Sequence, residues 1–253
     1  MSFDPSEIER LREVYNREKG GAQIPAGNPQ KVWKALQERF HDECRTGASS
    51  CIITNMMQKP KAPESWSVNR YEWLSSDDIS AIEKQYTKLF DGYTFLGCIP
   101  IDFDLKDEVG KCIVSTLCST QLQKLFEQGK DRIGIVFNTD PHDGPGEHWI
   151  ALFADIRPEL EYARITYFDS YAQKPEKEIQ VLMHRWKEQW DSTGIHSKPT
   201  ELTYNQTRHQ FKDTECGMYS LYFHYCCLTG TPMNARIPDE VVNSLRDLLF
   251  RTK

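Results

Sequence analysis

The stretch Asn205-Gln-Thr-Arg-His-Gln-Phe-Lys-Asp-Thr-Glu-Cys216-Gly-Met-Tyr-Ser-Leu-Tyr-Phe223 decides the fold. Its first half is polar and loop-like. From Met218 onward apolar and aromatic residues dominate, so the change at Thr214-Glu215 reads as a loop entering a buried helix. Cys216 then falls in the first turn of that helix. Unpaired backbone N–H groups and the positive end of the helix dipole favour thiolate over thiol there. Gly217 leaves the sulfur uncrowded on one side. Gln210, six residues upstream, can bring a side-chain N–H toward the sulfur and help hold a developing oxyanion. The competing reading of Cys216 is a structural cysteine that opens a core helix.

Upstream, three strands and a set of helices surround this stretch. Ile133–Asn138, His148–Ile156 and Tyr162–Ser170 read as short strands rich in β-branched and aromatic residues, with Glu201–Tyr204 a fourth. His148 begins one strand and Asp169 ends the next. In an antiparallel pair the start of one strand lies beside the end of its neighbour, so topology alone brings the two within reach. A Cys-His-carboxylate set needs that order of contacts: the imidazole takes the thiol proton and the carboxylate fixes the ring. His41, His142, His184, His196, His209 and His224 lack this setting and read as solvated or core histidines. His142 and His209 lie in nearby loops. Thr139–Glu147 is turn-rich.

Helical spacing is expected over 5–19, 30–43, 112–129, 175–191 and 238–250. Another helix starts after Ser75, which with Asp78 approximates a capping box. Gly97-Cys-Ile-Pro100 reads as a loop and Cys51-Ile-Ile-Thr54 as a strand-like run. Strands mixed with helices give an α+β class. The Gly/Pro breaks at 20–29 and 59–63 set off residues 1–65 as a helical arm, leaving 66–253 as the main domain. The arm is either a packing extension or a docking arm for substrate or partner.

Composition narrows the function. The chain of 253 residues carries a net charge of −6. Residues 1–70 hold 11 Lys+Arg against 9 Asp+Glu, a balance of +2, so the remainder carries −8. A net-acidic main domain argues against strong nucleic-acid binding through phosphate contacts. No apolar run approaches the ~18 residues of a membrane span. The polar, acidic N-terminus does not read as a signal peptide. Eight scattered cysteines without a Cys-x-x-Cys pair read as reduced thiols with no metal site.

The combined pattern Gly146-x-His148-Trp149, Tyr167-Phe-Asp169-Ser and Arg208-His-Gln210 through Glu215-Cys216-Gly217 resembles the clan of cysteine peptidases that contains the SUMO proteases and the adenovirus protease. Within it the chain is most similar to the virion polyprotein proteases of large DNA viruses, the African swine fever virus type among them. The likeness extends over Trp73-Leu-Ser-Ser-Asp-Asp-Ile79 and the Phe95–Phe103 run, from about Trp66 to Phe223. It implies a papain-like-superfamily core with a small mixed sheet flanked by helices. It implies Cys216 as nucleophile, His148 as general base and acid, Asp169 as orienting carboxylate and Gln210 as oxyanion donor. Trp73 and Trp149 would wall a narrow channel that admits residues lacking a Cβ, hence cleavage after Gly-Gly-like sites. Glu215 departs from the Asp of many members. The implied activity is maturation cleavage of viral core precursors in the virion and at host cytoplasmic assembly sites, without cofactor. A peptide activator is a possible partner. The alternative is removal of a host ubiquitin-like modifier.

Overall fold

The computed structural model describes residues 5–41, 44, 49–57 and 59–251. Three helices come first: α1 (Pro5–Glu18), α2 (Pro29–Arg39) and α3 (Ser49–Met56). There follow α4 (Ser76–Leu89), β1 (Tyr93–Pro100), α5 (Ser115–Cys118), α6 (Leu122–Glu127) and β2 (Arg132–Asn138). The chain continues through β3 (Trp149–Asp155), β4 (Arg164–Phe168), α7 (Lys177–Asp191), β5 (Glu201–Tyr204), α8 (Cys216–Thr229) and α9 (Asp239–Leu249).

The five strands form one mixed sheet in chain order. The central strand β3 is antiparallel to both β2 and β4, while β1 joins β2 and β5 joins β4 in parallel. Helices cover both faces, as an α+β protease core requires. On one face α1, α3, α4 and α8 pack around Leu11, Ile53, Ile82 and Tyr219 with Val136, Ala151 and Phe153 of the sheet. On the other, α6 and α7 pack Trp186 and Trp190 against Ile135, Phe137, Ile150 and Leu152. Both sheet faces are therefore dry, which is why β2 and β3 read as continuous apolar runs rather than alternating ones.

Several expectations need correcting. Cys51-Ile-Ile-Thr54 is helical within α3, not strand-like. Ile52 and Ile53 are buried, and that burial overrides their local preference. Tyr93–Pro100 is a strand, not a loop leading on from the helix; a register shift between Phe95 and Cys98 hides its periodicity. The stretch 112–129 divides into the short α5 and α6. Four of the eight cysteines are joined, as Cys44–Cys51 and Cys112–Cys118. The second pair joins the Lys106–Cys112 bridge to the end of α5. Cys98, Cys216, Cys226 and Cys227 remain free thiols.

Ser75 caps α4 as expected: its Oγ accepts from Asp78 N at 3.1 Å and Asp78 Oδ2 accepts from Ser75 N at 2.9 Å. The buried residue just before the cap is Leu74, whereas Trp73 is 41% exposed. Among the described residues no helix is long and apolar enough to cross a membrane.

Candidate active site

Cys216 is the first residue of α8 and is 1% exposed. Twelve of the fourteen residues of α8 are buried. That explains why its sequence is apolar all round: the helix runs through the middle of the molecule against β3 and α4. Glu215, the N-cap, makes no side-chain cap bond. Its carboxylate turns away to accept from Thr214 N at 3.0 Å and Asn243 Nδ2 at 2.8 Å, tying the approach loop to α9. The first-turn N–H groups around Cys216 thus stay free of a capping side chain.

Gly217 does a different job from the one its position suggested. A Cβ there would stand 3.1 Å from Leu74 Cβ and 3.3 Å from Trp149 Cδ1. Its absence lets Leu74 and Trp149 close on the start of α8. Trp149 is nearly buried and its indole N–H donates to Leu74 O at 2.9 Å. The exposed Trp73 stands next to Leu74 in the chain. Of the two tryptophans of the expected channel, Trp149 is placed against the helix start.

His148 immediately precedes β3 and Asp169 immediately follows β4. The antiparallel register pairs Ala151 with Phe168, so extension by a few residues brings the two together. His148 Nε2 lies 2.8 Å from Asp169 Oδ1. That nitrogen donates to the carboxylate, which leaves Nδ1 uncommitted, and Cys216 is near enough to the ring to act on its pKa. Burial alone would lower the His148 pKa. The hydrogen bonds to Asp169 and Cys216, with their charges, outweigh it and raise it to about 9. A protonated ring beside Asp169 and Cys216 is the state this favours.

The acid is itself held on all sides. Asp169 Oδ1 also accepts from Tyr171 N at 2.9 Å, and Oδ2 from Gln173 N at 3.2 Å. Asn205 clamps its backbone, accepting from Asp169 N at 3.0 Å and donating to Asp169 O at 2.7 Å. Such bonds fix the direction of the carboxylate. Ala172, at φ 60°, closes this tight turn.

Gln210 is fully buried. Its Oε1 accepts from Ser170 Oγ at 2.6 Å and its Nε2 donates to Lys212 O at 2.8 Å. Gln210 N also donates to Ser170 O at 2.9 Å. The amide is therefore oriented, with one N–H committed and one left over. Ser170, Tyr171 and Asn205 went unnoticed in the sequence. The Asn205–Asp169 and Ser170–Gln210 contacts span 36 and 40 positions, and only the polar Asp169-Ser170 step at a strand end hinted at them. Among the described residues no group of His, Cys, Asp and Glu is placed to hold a metal ion.

This arrangement can do acyl transfer: a nucleophile at a helix N-terminus, a base aligned by a carboxylate, and oriented donors beside them. Comparison with known proteins agrees. Residues 119–252 match the Ulp1 protease family, C-terminal catalytic domain. A protein of Acanthamoeba polyphaga mimivirus named as a thiol protease is 30% identical over 187 residues, covering 72% of this chain and 58% of that protein. The cysteine protease of African swine fever virus (isolate Tick/Malawi/Lil 20-1/1983) is 37% identical over 132 residues, 51% of this chain and 47% of that protein. In other isolates the corresponding protein, 35% identical, is named a SUMO-1 cysteine protease. The chain spans about half the length of these curated relatives. The crystal structure of the African swine fever virus protease superposes with a TM-score of 0.64 at 22% identity, covering 93% of this chain and 95% of that one, which shows a shared fold.

Proposed function

The chain belongs to the Ulp1 family of cysteine proteases, and from that premise we propose that it is a viral endopeptidase that cuts structural polyprotein precursors after Gly-Gly-like sites during virion maturation. The observation that carries the reading is the 2.8 Å contact of His148 with Asp169, made by an imidazole whose pKa is raised by Asp169 and by the Cys216 thiol at a buried helix start. The viral proteases among the relatives support the substrate class. We assign the catalytic domain to residues 66–253 and the arm to 1–65. The action lies in virions and cytoplasmic assembly sites.

In this scheme Cys216 Sγ gives its proton to His148 Nδ1 and attacks the carbonyl carbon before the scissile bond. The carbonyl electrons move onto oxygen, where the free Gln210 N–H and the Cys216 backbone N–H receive them. The C–N bond then breaks and the imidazolium protonates the leaving amine. Water, deprotonated by the same ring, attacks the thioester; carboxylic acid leaves and the thiol is restored. Trp73 and Trp149 line the approach, and side chains without a Cβ pass.

Replacing Cys216 with Ala tests this. Cleavage of Gly-Gly-x peptides should vanish while circular dichroism and melting stay native; full activity in that variant would remove the proposal. A second reading, a deconjugase for ubiquitin-like modifiers, is favoured by the SUMO-1 protease names of some relatives. Turnover of SUMO or ubiquitin fluorogenic esters, with no cleavage of Gly-Gly-x peptides from viral core proteins, would select it instead.

A further inference from the structure

A stack of rings and guanidinium groups leads away from the catalytic imidazole. The Tyr171 ring lies 4.9 Å from His148, tilted by 31°. Arg208 Cζ stands 5.3 Å from the Tyr171 ring and 4.5 Å from that of Phe211. Arg236 Cζ stands 4.5 Å from Phe211 as well. Phe211 is 59% exposed, a large aromatic residue left in water between two cations. Cation–π contact contributes about 0.5–1 kcal/mol at an exposed site. It also holds each arginine in one orientation, which leaves less entropy to lose on binding.

The guanidinium edges are largely free. Arg208 donates through Nε to Gln210 O at 2.9 Å and forms no ion pair among the described residues. Arg236 donates through Nε to His209 O at 3.2 Å. Its nearest carboxylate is Asp239 at 3.7 Å, which is already bound by Phe211 N and Tyr219 Oη. Lys212, in the same loop, is paired with Glu240 at 2.8 Å, and the exposed Asp213 follows it. Among residues 71–253, which carry a net charge of −8, two oriented and weakly paired arginines beside the active site need a reason.

The imidazole supplies that reason. Whatever His148 protonates as the bond breaks is the leaving amine, so the leaving chain departs past His148. The stack starts there. Separations of 4.9 and 5.3 Å put Arg208 no more than about 10 Å from the imidazole, roughly three residues of extended chain. We infer that Arg208, Phe211 and Arg236 form a subsite for the leaving chain, and that it selects an acidic side chain about three residues after the cut. A planar guanidinium presents a two-pronged donor that matches a carboxylate. This inference rests on the peptidase reading above.

Quenched-fluorescence peptides with Gly-Gly before the cut test it, with Glu, Gln or Lys scanned over the second to fifth leaving-chain positions. A Gly-Gly coumarin amide, which has no leaving chain, is the control. The quantity read is the Glu/Lys ratio of kcat/KM within each variant, so any general loss of activity cancels. The wild type should prefer Glu at one position by about two- to fivefold, the scale of exposed ion pairs. Arg208→Glu should reverse that ratio, and Arg208→Lys should narrow it. Arg236→Glu should weaken the preference at a position further from the cut. Raising salt to about 1 M should flatten the wild-type ratio. Equal ratios in wild type and Arg208→Glu, with the coumarin amide still cleaved, would overturn the subsite alone. No turnover of any Gly-Gly substrate would overturn the peptidase reading and the subsite with it. Equal ratios together with Arg208-dependent binding of a duplex oligonucleotide would give the stack to nucleic acid, and so also overturn the inference.

Discussion

Two imidazole–carboxylate contacts of nearly equal length sit about α8. One joins His148 to Asp169 at 2.8 Å; the other joins His224 to Glu83 at 2.7 Å. The first lies at the sheet rim, beside the thiol that opens the helix. The second lies two turns down the same helix and is fully buried. There His224 Nε2 donates to Leu152 O at 3.1 Å, and Glu83 accepts from Tyr93 Oη at 2.6 Å. The neighbouring strand makes room for them: a Cβ on Gly134 would collide with Tyr93 Oη and crowd His224. The lesson is that a His–carboxylate contact is not in itself a catalytic signature. What separates the two is a nucleophile within reach and an opening to water at one of them. The buried pair pins α4, β1 and β3 to α8 and so holds the helix whose first residue is Cys216.

That contrast gives an ordered set of expectations. His148→Ala should be the most damaging, lowering kcat about 10⁶-fold by analogy with other nucleophile–base pairs, while the melting temperature changes little. Asp169→Asn should cost about 10⁴-fold. It should also move the upper limb of the pH profile of kcat/KM down from about 9, because part of the upward shift on His148 comes from that carboxylate. The sign for stability follows. A histidine raised from 6.5 to about 9 adds stability that is complete below about 6.5 and is lost as pH rises through about 9. The destabilisation caused by Asp169→Asn should therefore be larger at pH 6 than at pH 9.5 in urea titrations.

His224→Ala should behave in the opposite way. It leaves Glu83 buried with Tyr93 as its side-chain partner, so unfolding free energy should fall by about 3–5 kcal/mol. Turnover per titrated active site should stay close to wild type. A loss of turnover per site like that of His148→Ala would break the distinction between the two pairs. The smallest effect is expected at Gly217→Ala. The added methyl meets Leu74 and Trp149, and overpacking of this kind costs about 1–3 kcal/mol. A rise in KM for Gly-Gly-x peptides larger than for the coumarin amide would locate the disturbance in the approach channel.

Much of this arrangement could be read in advance, for reasons that are themselves physical. A helix entered from a polar loop announces itself by a change in periodicity, so the place of Cys216 was visible. Strand ends are marked by turn residues, and antiparallel pairing then relates His148 to Asp169 without coordinates. What stayed hidden was of two kinds. Local signals that packing overrides were misread, as with Ile52 and Ile53 in α3 and the bulged strand at Phe95–Cys98. Contacts between distant residues left no local trace. Ser170 holding Gln210, Asn205 clamping Asp169, and Glu83 meeting His224 across 141 positions are of this type. The two disulfides were missed because cysteine spacing without compartment does not separate thiol from disulfide.

The 1% exposure of Cys216 has a further consequence for how such an enzyme can be kept. A nucleophile sunk this deep, beneath Trp149 and Leu74, is out of reach of any folded surface. Compact neighbours crowded against it, and other copies of itself, present no strand slender enough to enter. Under the proposed reading, a flexible glycine-bearing linker is the chain slender enough to reach it.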